Sequence, residues 1–339
     1  MSTDRSSSDR KVIRWGILGG GKIANKFASD LRLVADAELV AIGSRDPEKA
    51  KAFAEKHKVP LIYNDYQTLA LSPEVDVIYV ATPHGLHCNH VMLCLEHKKA
   101  VLCEKAFALN SHQLREMVSM ARKQKVFLME AFWTKFLPQY AAIMRIIQSG
   151  EIGDIKLIQA DFGFKAADPI PQRLYDPALG GGSLLDIGIY PVFLAQSILG
   201  KPADMQAMIT SYNSGVDEQC AITLKFKNGA LAVLSSTFAV DTPVEAMIAG
   251  TEGRIHMRNR FHNAVATLEL VKGRDEVQEI QVDREEGFGY QFEARHVGDC
   301  LRQGITESPV MSLQDSLLLM ETLDKIRHLC GIKYDVDKD

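Results

Sequence analysis

The stretch that decides the fold is Val12–Phe27, VIRWGILGGGKIANKF. A short apolar run, Val12–Leu18, stops at Gly19-Gly20-Gly21 and gives way at once to helix formers over Lys22–Val34. A strand turning into a helix through Gly19-x-Gly21-x-x-Ala24 has the spacing that cradles a pyrophosphate. Gly19 makes the tight turn, Gly21 lets backbone N–H groups approach the anion, and Ala24 allows close helix packing. Lys22, Ile23 and Ala24 form the first turn of the helix, whose dipole favours negative charge.

The same alternation continues outward from this turn. Further strands are expected at Leu39–Ser44, Val75–Ala81, Ala100–Cys103 and Val126–Met129, with helices at Pro47–His57, His87–His97 and Ser111–Lys123, where Ser111 serves as a cap. Right-handed crossovers then give a doubly wound parallel sheet. After Trp133 the rhythm changes. One helix, Ala141–Gln148, is followed by strand-like runs at Ile155–Phe164, Met205–Tyr212, Ala221–Phe226, Ala230–Ala239, Glu245–Ile248, Ala264–Val271 and Val277–Val282. Turn signals such as Lys227-Asn228-Gly229 and Gly250-Thr251-Glu252-Gly253 separate them, which predicts a mostly antiparallel open sheet. Helices are expected at Ser183–Leu199, Tyr290–Arg302 and Leu313–Leu329. The fold class is therefore α/β joined to α+β: a polar disordered tail over 1–10, a dinucleotide-binding domain over 11–132 and a substrate and dimerisation domain over 133–339.

Composition narrows the function classes. The chain has 339 residues, 46% hydrophobic and 24% charged, with a net charge of −4, so no nucleic-acid partner is indicated. The Ser-rich start carries no apolar signal segment, and no uninterrupted apolar run approaches the ~20 residues of a membrane span. The six cysteines are scattered and never form C-x-x-C, as expected of small buried hydrophobes in a reducing, cytoplasmic compartment. His84, His87 and His90 lack a carboxylate at ligand spacing, so no metal is expected.

The end of the second strand, Gly43-Ser44-Arg45-Asp46, bears on which nicotinamide dinucleotide is bound. Ser44 can donate to a 2′-phosphate, Arg45 can pair with it and stack on adenine, and Lys49 lies one helical turn further on. This favours NADP. Asp46 could instead accept from the 2′-OH of NAD, but it stands where a helix N-cap before Pro47 is expected.

With the phosphate loop, Ser44-Arg45, ATPHGLH, CEKAF and GGGSLLDIGIY in this order, the sequence resembles the Gfo/Idh/MocA oxidoreductase family over nearly its whole length. MEAFWTKFLP, GGGSLLDIGIYPV and EARHVGDCLRQGITESPV resemble the dimeric dihydrodiol dehydrogenase and NADP-dependent D-xylose dehydrogenase group of that family. The resemblance implies hydride transfer between NADP and a secondary alcohol or carbonyl of a cyclic diol or aldose. It implies a homodimer through the open C-terminal sheet. Other types within the family are a non-catalytic dinucleotide-binding sensor, a 1,5-anhydro-fructose reductase and an inositol dehydrogenase, the last usually with histidine where Tyr190 stands.

The resemblance also implies site residues. Lys105 would hold the reacting oxygen, Tyr190 would be the catalytic tyrosine and Asp186 would bind substrate hydroxyls. Thr82, Pro83, His84, His87 and Glu104 would lie against the cofactor, and Trp133, Phe162 and Phe288 would line the substrate pocket. The family's usual Glu-Lys-Pro reads Glu104-Lys105-Ala106 here, so packing around Phe107 is expected to hold Lys105. A tyrosine with a reference pKa of ~10 needs a nearby cation to act as a base, and Lys105 is expected to lower it. Asp186 lies four residues before Tyr190, on the same side of the expected helix, and Pro191 is expected to kink that helix by removing the bond to Ile187.

Overall fold

In the computed structural model, residues 11–273 and 276–337 are described; the expected tail over 1–10 lies outside them. The first sheet is built from β1 (Ile13–Leu18), β2 (Ala37–Gly43), β3 (Leu61–Tyr63), β4 (Val77–Val80), β5 (Ala100–Glu104) and β6 (Leu128–Ala131). Its order is β3-β2-β1-β4-β5-β6, and every pair is parallel. Helices α1 (Lys22–Leu31), α2 (Pro47–His57), α3 (Tyr66–Leu71), α4 (His87–Glu96) and α5 (Ser111–Gln124) make the connections. This is the doubly wound Rossmann order, in which the strand sequence reverses between β1 and β4 and opens a crevice at their carboxyl ends.

Packing fixes the register of that crevice. Phe27 on α1 stacks on Tyr79 of β4 with ring centroids 3.8 Å apart and lies 5.4 Å from Trp15 of β1. All three are fully buried, and each such side chain contributes roughly 1.5–3 kcal/mol through lost apolar surface. Gly19 adopts φ +99°, and a Cβ there would press on Thr82 and the Ala81 carbonyl, so the turn after β1 needs glycine.

The second sheet follows α6 (Pro138–Gln148). It contains β7 (Ile155–Gly163), β8 (Asp204–Ser211), β9 (Asp217–Lys225), β10 (Leu231–Thr237), β11 (Ala246–Gly250), β12 (Gly253–Arg258), β13 (Thr267–Lys272) and β14 (Glu276–Ile280). Their order is β14-β13-β12-β11-β7-β10-β9-β8, antiparallel except for the β7–β10 pair. One face is covered by α7 (Ile189–Leu199) and α9 (Leu313–Cys330). The other leaves Gln159, Met208, Thr223, Leu231 and Val233 exposed. The helix α8 (Tyr290–Arg302) packs on α1, and α9 packs on α5, so the end of the chain returns to the first sheet.

Several expectations are corrected. Strand β3 and helix α3 were missing from the sequence reading because three and six residues are too few to display a period. Strand β12 was missing because its outward side chains, Arg254, His256 and Arg258, follow directly on a turn signal. The cap of α5 is Asn110, which accepts from the Gln113 N–H; Ser111 is already the first helical residue. The expected helix Ser183–Leu199 is a π-helical turn, Leu184–Gly188, leading into α7. The backbone stays helical through Gly188 and Ile189, so the helix is continuous, and Pro191, which cannot donate to Ile187, stands just after the π-helical stretch, where the regular ladder is already interrupted. By length and composition the stretch Pro177–Leu199 could cross a membrane, but 89% of its most apolar window is buried inside the fold.

Candidate active site

The site forms where the carboxyl ends of β1, β4 and β5 meet the π-turn of the second half. At the phosphate turn, α1 has no side-chain cap, which leaves the first-turn N–H groups of Lys22, Ile23 and Ala24 available. A Cβ at Gly21 would meet nothing within 4 Å, so the space beside these donors fits a dinucleotide pyrophosphate.

At the end of β2, Asp46 is already engaged. Its carboxylate accepts from the Lys49 N–H at 3.1 Å as the N-cap of α2 and pairs with Lys49 Nζ at 3.0 Å. Ser44 is buried, with its hydroxyl donating to the Asp46 carbonyl within the turn. Arg45 is exposed, with its guanidinium 5.8 Å from the centre of the Tyr66 ring. Of the three residues expected to meet a 2′-phosphate, Arg45 is thus the one not held inside the turn.

Lys105 follows directly on β5 and is the centre of the polar cluster. Its ammonium donates to the Asp186 carbonyl at 2.6 Å, lies 3.4 Å from Asp186 Oδ1, and stands 5.0 Å from the centre of the Tyr190 ring. Burial alone would lower its pKa, but Tyr190, Asp186 and Glu104 outweigh that and raise it, so the side chain stays charged. Burial pushes Asp186 up, yet Lys105 and then Arg173 hold its carboxyl well below the usual range. Arg173 Nη1 donates to Asp186 Oδ2 at 3.1 Å. Sequence reasoning missed Arg173, although a buried carboxylate facing two groups calls for a second cation.

The backbone around Lys105 is held from three sides. The His87 ring reaches the Ala106 carbonyl at 2.8 Å and the Thr82 carbonyl at 2.7 Å. Glu130 Oε1 accepts from the Phe107 N–H at 3.2 Å, and Phe107 itself is fully buried. The Lys105–Ala106 peptide is cis. Glu104 is buried and accepts from the Tyr79 hydroxyl, with burial pushing its carboxyl up to about 7. Thr82 Oγ1 bonds His90, and His84 bonds the Gly180 carbonyl at 3.1 Å, joining the turn after β4 to the loop before the π-turn. Pro83 caps the short turn His84–Leu86.

The π-turn that presents Asp186 has its own anchor. Asp217 accepts from Ser183 Oγ and from the Leu184 N–H, each at 2.7 Å. Gly182 adopts φ +118°, and a Cβ there would sit 2.4 Å from Asp217 Oδ1. This turn must be glycine for the carboxylate to reach it.

Aromatic rings close the site around Tyr190. Trp133 Nε1 donates to the Tyr190 hydroxyl at 3.0 Å, and Trp133 stacks on Tyr290 at 4.7 Å. Phe162 lies 5.7 Å from the Tyr190 ring. Phe288 is placed elsewhere: Asp30 on α1 accepts from the N–H groups of Phe288, Gly289 and Tyr290, which turns Tyr290 inward and leaves Phe288 exposed beside Lys26. Tyr290 and His262, absent from the sequence reading, complete the wall instead. Lys105 acts to lower the Tyr190 pKa, as expected, but does not set the net direction. Burial, the largest influence, raises the phenol above its ordinary value despite the opposing effects of Lys105 and Trp133.

Two family models match the chain. One, described as an oxidoreductase family with an NAD-binding Rossmann fold, covers residues 13–132; the other, the GFO/IDH/MocA C-terminal domain, covers 140–256. A trans-1,2-dihydrobenzene-1,2-diol dehydrogenase of Xenopus tropicalis is 38% identical over 95% of this chain and 99% of its own length.

The chain belongs to the Gfo/Idh/MocA oxidoreductase family.

Two solved structures show how this family member is related beyond sequence. A 3-ketoreductase from Actinomadura kijaniata, in complex with NADP and TDP-benzene, matches with a TM-score of 0.84 at 26% identity over 94% of this chain and 98% of that one. Levoglucosan dehydrogenase, in complex with NADH and levoglucosan, shares the fold with a TM-score of 0.85 at 20% identity over 95% and 98% of the two chains. This Gfo/Idh/MocA protein is an NAD(P)-dependent dehydrogenase.

Proposed function

We propose that this dehydrogenase uses NADP to interconvert a secondary alcohol and carbonyl on a cyclic vicinal diol or an aldose. The observation that carries the reading is the Lys105 ammonium, held at the end of β5 between the Asp186 carboxylate and the Tyr190 ring. A bound nicotinamide supplies hydride acceptance or donation. The chain supplies everything else. Lys105 stabilises negative charge on the reacting oxygen, and Asp186 accepts from a neighbouring substrate hydroxyl while keeping Lys105 charged. Tyr190 gives or takes the proton, with Trp133 fixing the direction of its hydroxyl. Because burial keeps the phenol protonated at neutral pH, Tyr190 is ready as the acid of carbonyl reduction, and alcohol oxidation speeds up as pH rises.

NADP over NAD is supported by Asp46 being spent on its cap and on Lys49 while Arg45 stays exposed. We further propose a homodimer through the open face of the second sheet, where Met208, Leu231 and Val233 are exposed, and a cytoplasmic location, in keeping with six free cysteines. Steady-state kinetics with NADP and NAD across D-xylose, D-glucose, inositol and trans-1,2-dihydrobenzene-1,2-diol test the reading. Turnover of a sugar or diol with NADP preferred at least about tenfold is expected. A preference for NAD contradicts the Arg45 argument, and no turnover with any of the four contradicts the substrate class.

A further inference from the structure

His262 has a polar group with nothing to do in the protein. It lies in the connection between β12 and β13, which is pinned on both sides. The Phe261 N–H donates to the Val244 carbonyl at 3.0 Å, Thr134 Oγ1 donates to the His262 carbonyl at 2.9 Å, and Gln139 donates to the Ala264 carbonyl. The backbone thus sets where the ring goes. That ring stacks on Phe162 at 4.3 Å, lies 4.7 Å from the Tyr190 ring, and meets Trp133 edge-on at 6.2 Å and Phe261 at 5.6 Å.

Only 5% of His262 is exposed, and its Nδ1 is buried without a hydrogen-bond partner among the described residues. Burial, helped by Lys105, Arg260 and Lys26, pushes the imidazole down to about 3, so it is neutral and carries one N–H donor and one lone pair. Phenylalanine would fill the same aromatic slot with no polar atom to bury. A buried polar group left open is costly and is found where something else completes it. The ring beside it is Tyr190, so whatever meets the Tyr190 hydroxyl lies next to His262.

We propose that His262 is a specificity-determining residue that hydrogen-bonds a substrate hydroxyl other than the reacting one, selecting hydroxyl-rich, aldose-like substrates over diols on an apolar ring. The assignment rests on Tyr190 and Lys105 being the reacting pair. A diol on a hydrocarbon ring turns its hydroxyls to Lys105, Tyr190 and Asp186 and leaves only carbon for the imidazole. An aldose has a further hydroxyl for that wall.

The test is NADP-linked kinetics of the wild type, H262F, H262M and H262N with D-xylose and trans-1,2-dihydrobenzene-1,2-diol. In H262F the KM for D-xylose should rise about tenfold or more with kcat within about threefold, while the KM for the dihydrodiol stays level or falls. H262N, which restores a donor and an acceptor, should recover most of the D-xylose preference. H262M removes the polar atoms without an aromatic ring and gives the same readout if H262F fails to bind NADP. A wild type that turns over substrate but whose preference is unchanged in both apolar variants overturns this assignment alone, as does a wild type that favours the dihydrodiol at least tenfold. No turnover of either compound by the wild type overturns the reading of the reacting pair and this assignment with it.

Discussion

Two strand ends on the same edge of the first sheet are built in opposite ways. At the end of β2, Ser44, Asp46 and Lys49, all within five positions of one another, are bonded together and leave Arg45 exposed. At the end of β5, Lys105 is largely withdrawn from solvent and takes its partners from the second half of the chain, Asp186 and Tyr190. The first region recognises by exposed charge, which water screens and which local sequence specifies. The second works in a desolvated site, where each charge acts strongly and every partner must be placed by packing. Selectivity for the cofactor should therefore be easy to change, and the chemistry hard to change without loss.

The largest break comes from the buried side. Lys105→Ala should lower kcat/KM by roughly a thousandfold while dinucleotide binding, followed by fluorescence titration, survives. Arg45→Ala tests the exposed side. It should raise the KM for NADP by roughly ten- to a hundredfold and leave NAD nearly unaffected; equal effects on both would contradict the selectivity argument. Arg173→Ala asks to which region a half-exposed cation belongs. If it serves the buried centre by holding Asp186, the substrate KM should rise about fivefold with the KM for NADP unchanged. The smallest effect is expected at Ala106→Pro. The Ala106 N–H makes no backbone hydrogen bond among the described residues, so activity should stay within about twofold or improve, and a large loss would mean that His87 no longer reaches the carbonyl.

The same contrast explains what could be read from the sequence. The strand-to-helix turn after β1, the capping role of Asp46 and the parallel pairing of the first sheet follow local patterns, and the structure reproduces them. Lys105, Asp186, Tyr190, Trp133 and Phe162 were also singled out, and the fold brings them together. What escaped depends on long-range placement. Arg173 comes from an irregular loop, Tyr290 is turned inward by an aspartate on α1, and His262 belongs to a connection with no period or motif. Tyr290 and not Phe288 faces the site because Asp30 holds that turn, which nothing local in the sequence reveals. The direction of the Tyr190 shift was misjudged for a related reason: proximity of a cation was visible in the motif order, but the depth of burial was not.

The central claim is that Tyr190 moves the proton. Its most direct test is the pH dependence of kcat for NADP-linked alcohol oxidation between pH 7 and 9 in the wild type and Tyr190→Phe. Because burial holds the phenol pKa above a tyrosine's ordinary value, the ionised fraction grows by about tenfold per pH unit across this range, and wild-type kcat should climb with it until hydride transfer no longer limits. Glu104 and Glu130, both pushed up to about 7 by burial, are present in both proteins, so the difference between the two profiles isolates Tyr190. The account predicts that Tyr190→Phe loses roughly a hundredfold or more in kcat and loses the rise that separates the profiles. A near wild-type kcat with an unchanged profile would contradict it.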